Sequence, residues 1–480
     1  MSTATRARDD GAPVFRVVEI ALLERDVALR LPFRFGVVTL TRATQAFVRA
    51  RIVLRDGGGG WGAAAEILAP KWFDKDLALS DEDNADQLRA ALREARGLYL
   101  GERTPRTAFG HFAAHHAEQI ARCGARGLNR LIAGYGPALI DRAVLDALCR
   151  QLGVSVYQAL GRNLAGIAPA GLAPDLDGFD IDGFLARQAP RSRIAARHTV
   201  GLVDAITAAD QDPASRVDDG LPETLEDVVA TYRHRWFKLK VGGDLATDVA
   251  RLTAIARVLD RLPLPYRSTL DGNEQYEDAD AVLALWRRMT ETPALRRLCD
   301  SVAFIEQPIN RKAALARDVG ALARLKPVII DESDDGLDVF PRALALGYGG
   351  VSSKSCKGLY KSLINAARCA QRSRAGSPCF MSGEDLTTQA GLAVQQDLAL
   401  VAFLGLEHVE RNGHHYVDGM AALPAGEQDA FLAAHPDLYE RSHGAVRLRL
   451  TDGELAIGSL ACPGFASAAE PDWRAMRAVD

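Results

Sequence analysis

The chain lacks several features that define whole classes of protein. Its seven cysteines are scattered and form no Cys-x-x-Cys pair, which argues against a disulfide framework and against a zinc site built from cysteines. No run of about 18 apolar residues is present, so no membrane-spanning helix is expected. Residues 1–13 are polar and contain no apolar stretch typical of a secretory signal. We therefore expect reduced thiols and a cytoplasmic protein.

The charge balance argues against two further kinds of partner. The formal net charge is −4 and the pI is about 6.2, so the chain lacks the basic surface that nucleic acids and anionic membranes attract. The glycines of Gly57–Gly60 are not followed by Lys-Ser or Lys-Thr, which makes a hairpin turn a better interpretation than a phosphate loop. Neither a nucleic acid nor a membrane is therefore expected as a partner.

Lysine is also scarce, because only nine of the 58 basic residues are lysine. Four of the nine stand in two short strings, Lys238-Leu-Lys240 and Lys354-Ser-Cys-Lys357. Arginine cannot release a proton near neutral pH, whereas lysine can. The retained lysines are therefore candidates for proton transfer, with chance clustering on a solvated face as the alternative.

The N-terminal part of the chain predicts an α+β domain over residues 1–135. Phe47–Arg55 alternates apolar residues with arginines, the period of a half-buried strand, and helical patterns follow. Residues 440–480 return to an alternating pattern, and we expect them to pack back on this domain. Residues 136–198 predict a connecting helix and then an insertion rich in Ala, Gly, Pro and Asp.

Residues 199–439 alternate short apolar runs with helical patterns, which is the signature of repeated βα units. Eight such units predict a modified (β/α)₈ TIM barrel, with a doubly wound sheet as the alternative. A doubly wound nucleotide-binding sheet would need a Gly-x-Gly-x-x-Gly turn after an early strand, and none is present. The strand candidates are Thr199–Ile206, Phe237–Val241, Tyr266–Gly272, Val302–Pro308, Pro327–Ser333, Gly350–Lys354, Cys379–Gly383 and Leu406–Glu410.

Three acidic residues stand at the ends of consecutive predicted strands, where barrel active sites are built. They are Asp271, Glu306 and Asp331. Three converging carboxylates repel one another unless a cation lies among them, and all-oxygen ligands suit Mg²⁺. Taken alone, Asp331 fits a helix N-cap equally well; the ordered set is what favours a metal site.

Three lysines stand at strand ends of the same barrel. Lys238 and Lys240 are two residues apart, so both side chains point to the same side of their strand. We expect each ammonium group to lower the pKa of the other. Lys354, on the sixth strand, would lie across the barrel mouth, so that amines flank the metal on two sides. Because Lys-x-Lys alone is common on protein surfaces, the alternative is that Lys238 and Lys240 are solvated surface residues.

This order of motifs resembles the enolase superfamily, specifically its muconate-lactonizing-enzyme-like subgroup within the mandelate racemase and muconate lactonizing enzyme family. The resemblance covers most of the chain and implies a capped barrel that binds Mg²⁺. By resemblance, the metal ligands are Asp271, Glu306 and Asp331, the acid/base lysines are Lys240 and Lys354, the lysine that tunes its neighbour is Lys238, and supporting residues are Asn273 and Lys357.

The resemblance implies a reaction that starts at the carbon beside a substrate carboxylate. One lysine removes the α-proton, and Mg²⁺ with the other lysine stabilises the enolate. Reprotonation or ring closure would make the protein an isomerase, a racemase or epimerase or a cycloisomerase. Loss of a β-group would make it a lyase such as a dehydratase. A third possibility, of another class, is an inactive barrel that only binds carboxylates. A homo-oligomer is expected by resemblance alone.

Substrate specificity is expected to come from segments that close over the barrel mouth. The candidate contacts are Arg34, Phe35, Trp72, Glu384 and His408. Arg34 could pair with a distal anion, and Glu384 and His408 are expected near the rim. The strand-eight end, His408-Val-Glu410, lacks the Asp-x-Asp with which dipeptide epimerases of this subgroup hold an ammonium group. His414-His415 is expected to be a solvated loop pair.

Overall fold

The computed structural model describes residues 11–36 and 38–479. Eight parallel strands close into a barrel surrounded by helices, and an antiparallel sheet with its own helices caps it. The predicted fold class, a modified (β/α)₈ barrel with an α+β cap, is therefore confirmed. The expectation about a signal falls largely on residues 1–10, which lie outside the described residues. Among those described, no helix has the length and apolarity needed to cross a membrane.

The strands are β1 Phe15–Phe35, β2 Val38–Leu54, β3 Gly59–Ile67, β4 Arg193–Val200, β5 Trp236–Lys240, β6 Arg267–Asp271, β7 Val302–Glu306, β8 Val328–Ile330, β9 Gly350–Ser353, β10 Phe380–Gly383, β11 His408–Arg411, β12 Tyr439–Ser442, β13 Ala445–Leu448, β14 Glu454–Ala456 and β15 Arg477–Ala478. The helices are α1 Asp81–Gly101, α2 Ala108–Ala125, α3 Arg130–Leu152, α4 Val156–Gly161, α5 Ile181–Ala186, α6 Leu225–Tyr232, α7 Leu245–Leu259, α8 Ala279–Glu291, α9 Arg296–Ser301, α10 Arg311–Ala314, α11 Gly320–Ala323, α12 Val339–Ala345, α13 Leu359–Arg374, α14 Leu392–Phe403, α15 Gly413–Tyr416 and α16 Ala425–Ala434.

The barrel consists of β4 to β11, which pair in chain order. The last strand, β11, pairs in parallel with the first, β4, with Glu410 opposite Arg197, and this pairing closes the barrel. The short strand β14 adds to β4 in the antiparallel sense. Because all eight barrel strands run in one direction, their carboxyl ends meet at one face, where barrel active sites form.

The first barrel strand lies earlier than the sequence predicts. We expected it at 199–206, whereas it spans Arg193–Val200 and begins inside the predicted insertion. The reason lies in the side chains that face the barrel interior. Arg197 and Thr199 bond there to buried carboxylates at the ends of β10 and β11. The strand is therefore polar at positions that are usually apolar, and it gives no apolar run.

The cap sheet has the order β15–β1–β2–β3 and packs against α1 and α3. The alternation predicted for β2 is confirmed: Val48, Ala50 and Ile52 are fully buried, whereas Arg49 and Arg51 lie on the other face. The predicted hairpin after β2 is also confirmed, because β2 and β3 are antiparallel neighbours.

The segments before and after the barrel both dock onto other elements. In the predicted insertion, Asp175 accepts two hydrogen bonds from Arg368 of α13, at 2.7 and 2.8 Å. At the C-terminus, the backbone N–H of Phe465 donates to Asp146 of α3, and β15 pairs with β1. β15 thus joins the cap sheet, whereas β14 lies on the barrel. The predicted domains, including the return of residues 440–480 to the N-terminal domain, stay predictions.

Candidate active site

Asp271, Glu306 and Asp331 lie together at the carboxyl ends of β6, β7 and β8. Asp271 and Glu306 are register partners on neighbouring strands, and Asp331 directly follows β8. All three side chains are fully buried. Burial raises the pKa of Glu306 well above its ordinary value, and the nearby charges of Asp271 and Glu384 raise it further. The strand ends thus bring together a cluster of carboxylates that needs positive charge.

Lys238 supplies much of that charge. Its Nζ atom lies 2.9 Å from Asp271, 2.7 Å from Glu306, 2.8 Å from Glu384 and 3.0 Å from Glu410. The lysine is 1 % exposed, so water does not screen these contacts. Lys238 is therefore the central cation of a ring of four carboxylates.

The predicted lowering of the Lys238 pKa is wrong. We expected the neighbouring ammonium group to lower the pKa of Lys238. Burial does act to lower it, but the four surrounding carboxylates outweigh burial and raise the pKa well above its ordinary value. The sequence prediction failed because it considered one like charge and none of the acidic residues that reach Lys238 from other strands.

Lys240 and Lys354 approach the carboxylates from opposite sides of the barrel. They belong to the second barrel strand and the end of the sixth, which face each other across an eight-stranded barrel. Lys240 donates to Asp271 and to Asn273, both at 2.6 Å. Lys354 Nζ lies 2.8 Å from Asp331 Oδ2. Two amines thus stand beside the two outer members of the carboxylate cluster.

A cavity with about 370 Å³ of empty volume lies between these lysines and the cap. Its polar wall consists of Lys238, Lys240, Asn273, Lys354, Asp385, Thr387, Glu410 and Asn412. Its apolar wall consists of Phe33, Phe35, Leu40, Ala69, Trp72 and Leu386. The cavity is therefore lined by lysines and other polar groups of the barrel and by apolar side chains that come mostly from the cap.

The cap segment that carries Trp72 is fixed to the barrel. Arg311 donates to the backbone oxygens of Trp72 and Phe73, at 2.8 and 2.9 Å. Lys75 Nζ donates to the backbone oxygen of Asn273 at 2.6 Å. The Trp72 ring consequently lies under Lys354, with Nζ 4.3 Å from the ring centre. Its indole N–H is buried and has no hydrogen-bond partner.

Comparison with known proteins agrees with this geometry. Residues 220–457 match a family described as Enolase C-terminal domain-like. The chain is 29 % identical over 244 residues to muconate cycloisomerase 1 of Rhodococcus opacus, which is 49 % of this chain and 51 % of that protein. The match therefore spans about half the length of this curated relative.

Two solved structures share the whole fold. One is the muconate lactonizing enzyme of Pseudomonas fluorescens complexed with muconolactone, with a TM-score of 0.55, 18 % identity, and coverage of 96 % of this chain and 98 % of that one. The other is a member of the enolase superfamily from Roseovarius nubinhibens ISM complexed with magnesium, with a TM-score of 0.54, 18 % identity, and coverage of 97 % and 99 %.

The barrel part of this chain, residues 220–457, belongs to the Enolase C-terminal domain-like family.

The carboxylates of this enolase-superfamily barrel fit a divalent cation. Both side-chain oxygens of Glu306 and Oδ2 of Asp331 are buried without a hydrogen bond. Lys238 and Lys354 approach two of these oxygens at ion-pair distance, 2.7 and 2.8 Å, but without hydrogen-bond geometry. Asp271, on the third strand, already accepts hydrogen bonds from Lys240 and from the backbone N–H of Asn273. Carboxylate oxygens without hydrogen bonds on two adjacent strands, beside a third carboxylate, are a donor set that suits Mg²⁺.

Two residues predicted to support this site lie directly behind it. Asn273 accepts from Lys240 and donates to Glu332 at 3.1 Å. Lys357 Nζ lies 3.3 Å from Asp331 Oδ1 and donates to Ser352 at 2.6 Å. The structure therefore places both next to a predicted ligand or base, while their functional roles stay predictions.

Three of the five predicted substrate contacts do not line the cavity. Arg34 is exposed, because the alternation of β1 turns the flanking phenylalanines inward and the arginine outward. Glu384 is fully buried and bonds to Lys238 below the cavity. His408 begins β11 and so lies at the amino end of its strand, where its ring stacks on Trp236 at 3.7 Å. We therefore no longer expect these three to contact a substrate; Phe35 and Trp72 do line the cavity.

Sequence reasoning missed Glu410, which lines the cavity and binds Lys238. Burial acts to raise its pKa, but Lys238, Lys240 and Lys354 outweigh burial and hold it well below the ordinary value. The signal was available, because Glu410 lies two residues after His408. The two residues share a face of β11, but Glu410 lies closer to the carboxyl end of the strand, where barrel active sites form.

Proposed function

We propose that this chain is a Mg²⁺-dependent enzyme that removes the proton beside a substrate carboxylate, and that its net reaction is an isomerisation. One observation carries the proposal: Lys240 and Lys354 reach the same cavity from opposite strands, next to the carboxylate cluster. A proton can therefore leave one face of a bound molecule and return to the other. The name of the 29 % identical relative, muconate cycloisomerase 1, supports isomerisation.

The residues of the chain have distinct parts in this reaction. Asp271, Glu306 and Asp331 would hold Mg²⁺, which when bound polarises the substrate carboxylate and favours the enolate. One of the two cavity lysines accepts the α-proton. The other, still cationic, lies near the developing negative charge and stabilises it electrostatically. Burial of both lysines strengthens these interactions because the local dielectric is low.

The cavity walls favour a particular class of substrate. Among the described residues no arginine lines the cavity, so nothing there resembles a clamp for a second carboxylate at the far end. The part of the wall that the cap supplies is formed by aromatic and aliphatic side chains. The free indole N–H of Trp72 can donate to one acceptor. We therefore propose a small carboxylic acid whose remaining part is mostly apolar.

The test is exchange of the α-proton in D₂O, followed by mass spectrometry over a panel of carboxylic acids. We expect exchange with Mg²⁺, its loss with EDTA, and recovery when Mg²⁺ is restored. Lys240→Met and Lys354→Met should each lower the overall turnover by about 10²–10⁴-fold, the usual contribution of a general acid or base. Lys312→Met, at an exposed lysine, is the matched control and should change nothing.

Two outcomes would contradict the proposal. Absence of metal-dependent exchange over the whole panel, together with measurable binding of the acids, would favour a carboxylate-binding barrel. A product that has lost the mass of water or another group would show elimination, so the protein would be a lyase. A product of unchanged mass and altered optical rotation or connectivity is the result expected for an isomerase.

A further inference from the structure

Four of the ten histidines cluster on the outer side of the barrel, away from the cavity. His198 lies on β4, His234 precedes β5, and His414 and His415 lie in α15. The sequence predicted a solvated pair at His414-His415, and this is wrong. His415 is 4 % exposed and His414 is half-buried, because α15 packs its rings against those of His198 and His234.

Three ring nitrogens converge at the centre of this cluster. Nε2 of His414 lies 3.3 Å from Nδ1 of His198 and 3.2 Å from Nε2 of His234. All three nitrogens lie within 4.8 Å of one another. Zinc binds imidazole nitrogen at about 2.0–2.1 Å, so two nitrogens of a tetrahedral site are about 3.3–3.4 Å apart. The two measured separations agree with that value.

The hydrogen bonding of the cluster leaves lone pairs directed at its centre. Nδ1 of His234 lies 2.9 Å from the backbone oxygen of Ala196, which can only accept, so the proton of this ring is on Nδ1 and Nε2 presents a lone pair. Such a carbonyl contact is how metal-binding histidines are oriented. Burial lowers the pKa of His234 to about 4, so the ring is neutral at pH 7.

Hydrogen bonds among the three rings cannot satisfy this geometry well. Nε2 of His414 faces two nitrogens at nearly equal distances, yet it carries at most one proton. Its other nitrogen, Nδ1, is buried and has no hydrogen-bond partner. A cation at the centre would bind the lone pairs of all three nitrogens at once, whereas one proton can form a hydrogen bond between only two of the nitrogens.

We propose that His198, His234 and His414 bind one zinc ion, with water as the fourth ligand. A fourth position is available because His414 lines a cavity with about 670 Å³ of empty volume. Three imidazoles select zinc over magnesium, so the site is chemically distinct from the carboxylate cluster. The three ligands come from β4 and from the segments before β5 and after β11, next to the β4–β11 pairing that closes the barrel. Bound zinc therefore stabilises the closure of the barrel.

The test uses the full-length protein, stripped with a chelator and returned to excess Mg²⁺ so that the carboxylate site is saturated. Zn²⁺ is added, unbound metal is removed by gel filtration, and bound zinc is measured by mass spectrometry of the metal. We expect one zinc per chain and a higher unfolding temperature. His414→Gln should weaken zinc binding by at least about 100-fold, since even an orienting partner contributes 10–100-fold. His116→Gln removes a histidine far from the cluster and should bind zinc like the unaltered protein.

A second measurement needs no variant. Co²⁺ in a tetrahedral three-histidine site absorbs visible light strongly, whereas octahedral Co²⁺ in a carboxylate site absorbs weakly. Strong absorption of the Co²⁺-loaded, Mg²⁺-saturated protein is expected and should be absent from His414→Gln. Less than about 0.1 zinc per chain, weak octahedral absorption, or full zinc retention by His414→Gln would each overturn the proposal. Because proton exchange at the carboxylate site is measured separately, failure here leaves the proposed enzymatic function standing.

Discussion

The replacement Lys238→Met tests the charge arrangement on which the site depends. Methionine has a similar length but removes the ammonium group that contacts four buried carboxylates. Every other cation of the site stays in place. Those carboxylates would then face one another in a low-dielectric interior without their shared partner. We expect the variant to fold with a large loss of stability.

The size of the loss follows from the burial of the groups. Removal of one partner from a buried ion pair costs about 3–5 kcal/mol, because the charge left behind remains desolvated. Here one ammonium serves four carboxylates, each at most 2 % exposed at its side chain, so the upper end of about 5 kcal/mol applies. Mg²⁺ should restore part of this stability. A ligand at 100 times its dissociation constant stabilises the folded state by about 2.7 kcal/mol.

The assay is urea unfolding of the variant with EDTA and with Mg²⁺, with Lys312→Met as the exposed control. The midpoint of Lys238→Met should fall steeply in EDTA and rise with Mg²⁺ by more than that of the unaltered protein, in which Lys238 already neutralises two of the predicted ligands. A loss below about 1 kcal/mol in EDTA would refute the reasoning. An effect of equal size for Lys312→Met would refute it as well.

Two further predictions concern the cap. Gly62→Ala should lower the free energy of unfolding by about 1–3 kcal/mol, because the added Cβ would lie 2.1 Å from the backbone nitrogen of Ala147 and 2.3 Å from the oxygen of Ala143, both backbone atoms of α3. Gly97→Ala, on an open face of α1, is the control and should stabilise slightly. Urea unfolding measures both changes. Burial lowers the pKa of His111 to about 4, below its value near 6.5 in the unfolded chain. The unfolded chain therefore binds a proton first as the pH falls, and His111 should cost about 3 kcal/mol of stability between pH 7 and pH 4. His111→Phe should flatten the dependence of the free energy of unfolding on pH over this range. An unchanged slope would contradict this prediction.

The strand-end pattern was sufficient to predict the barrel and the carboxylate cluster. Parallel strands of one barrel end at the same face, so Asp271, Glu306 and Asp331 had to converge once their strands were consecutive. No knowledge of the intervening helices was needed. The same argument placed Lys240 and Lys354 on opposite sides, since it depends only on the strand order.

The environment of Lys238 could not be predicted in the same way. Its pKa depends on carboxylates far along the chain, with Glu384 lying 146 residues away and Glu410 172 residues away. The extent of each strand along the barrel axis also matters. His408 was predicted near the rim, whereas β11 begins at His408 and Glu410, two residues later on the same face, lines the cavity. The histidine cluster was not predicted for a related reason, because its members come from three segments that meet only where the barrel closes.

The charges of the site also bear on why an enzyme of this kind would need both a metal and a lysine that can lose its proton. In the connected network of ion pairs around the predicted ligands, six carboxylates are matched by six cations when every group is charged: Asp271, Glu306, Asp331, Asp334, Glu384 and Glu410 against Lys238, Lys240, Lys354, Lys357, Lys361 and Arg197. A divalent cation and a substrate carboxylate together add one positive charge to this buried, neutral set. Loss of one lysine proton to solvent would restore neutrality, and it would create the base that the proposed reaction requires. Transfer of the α-proton to that lysine would then turn the substrate into a dianion and leave the total charge unchanged. Because uncompensated charge in such an interior is costly, metal binding, substrate binding and lysine deprotonation are expected to be coupled.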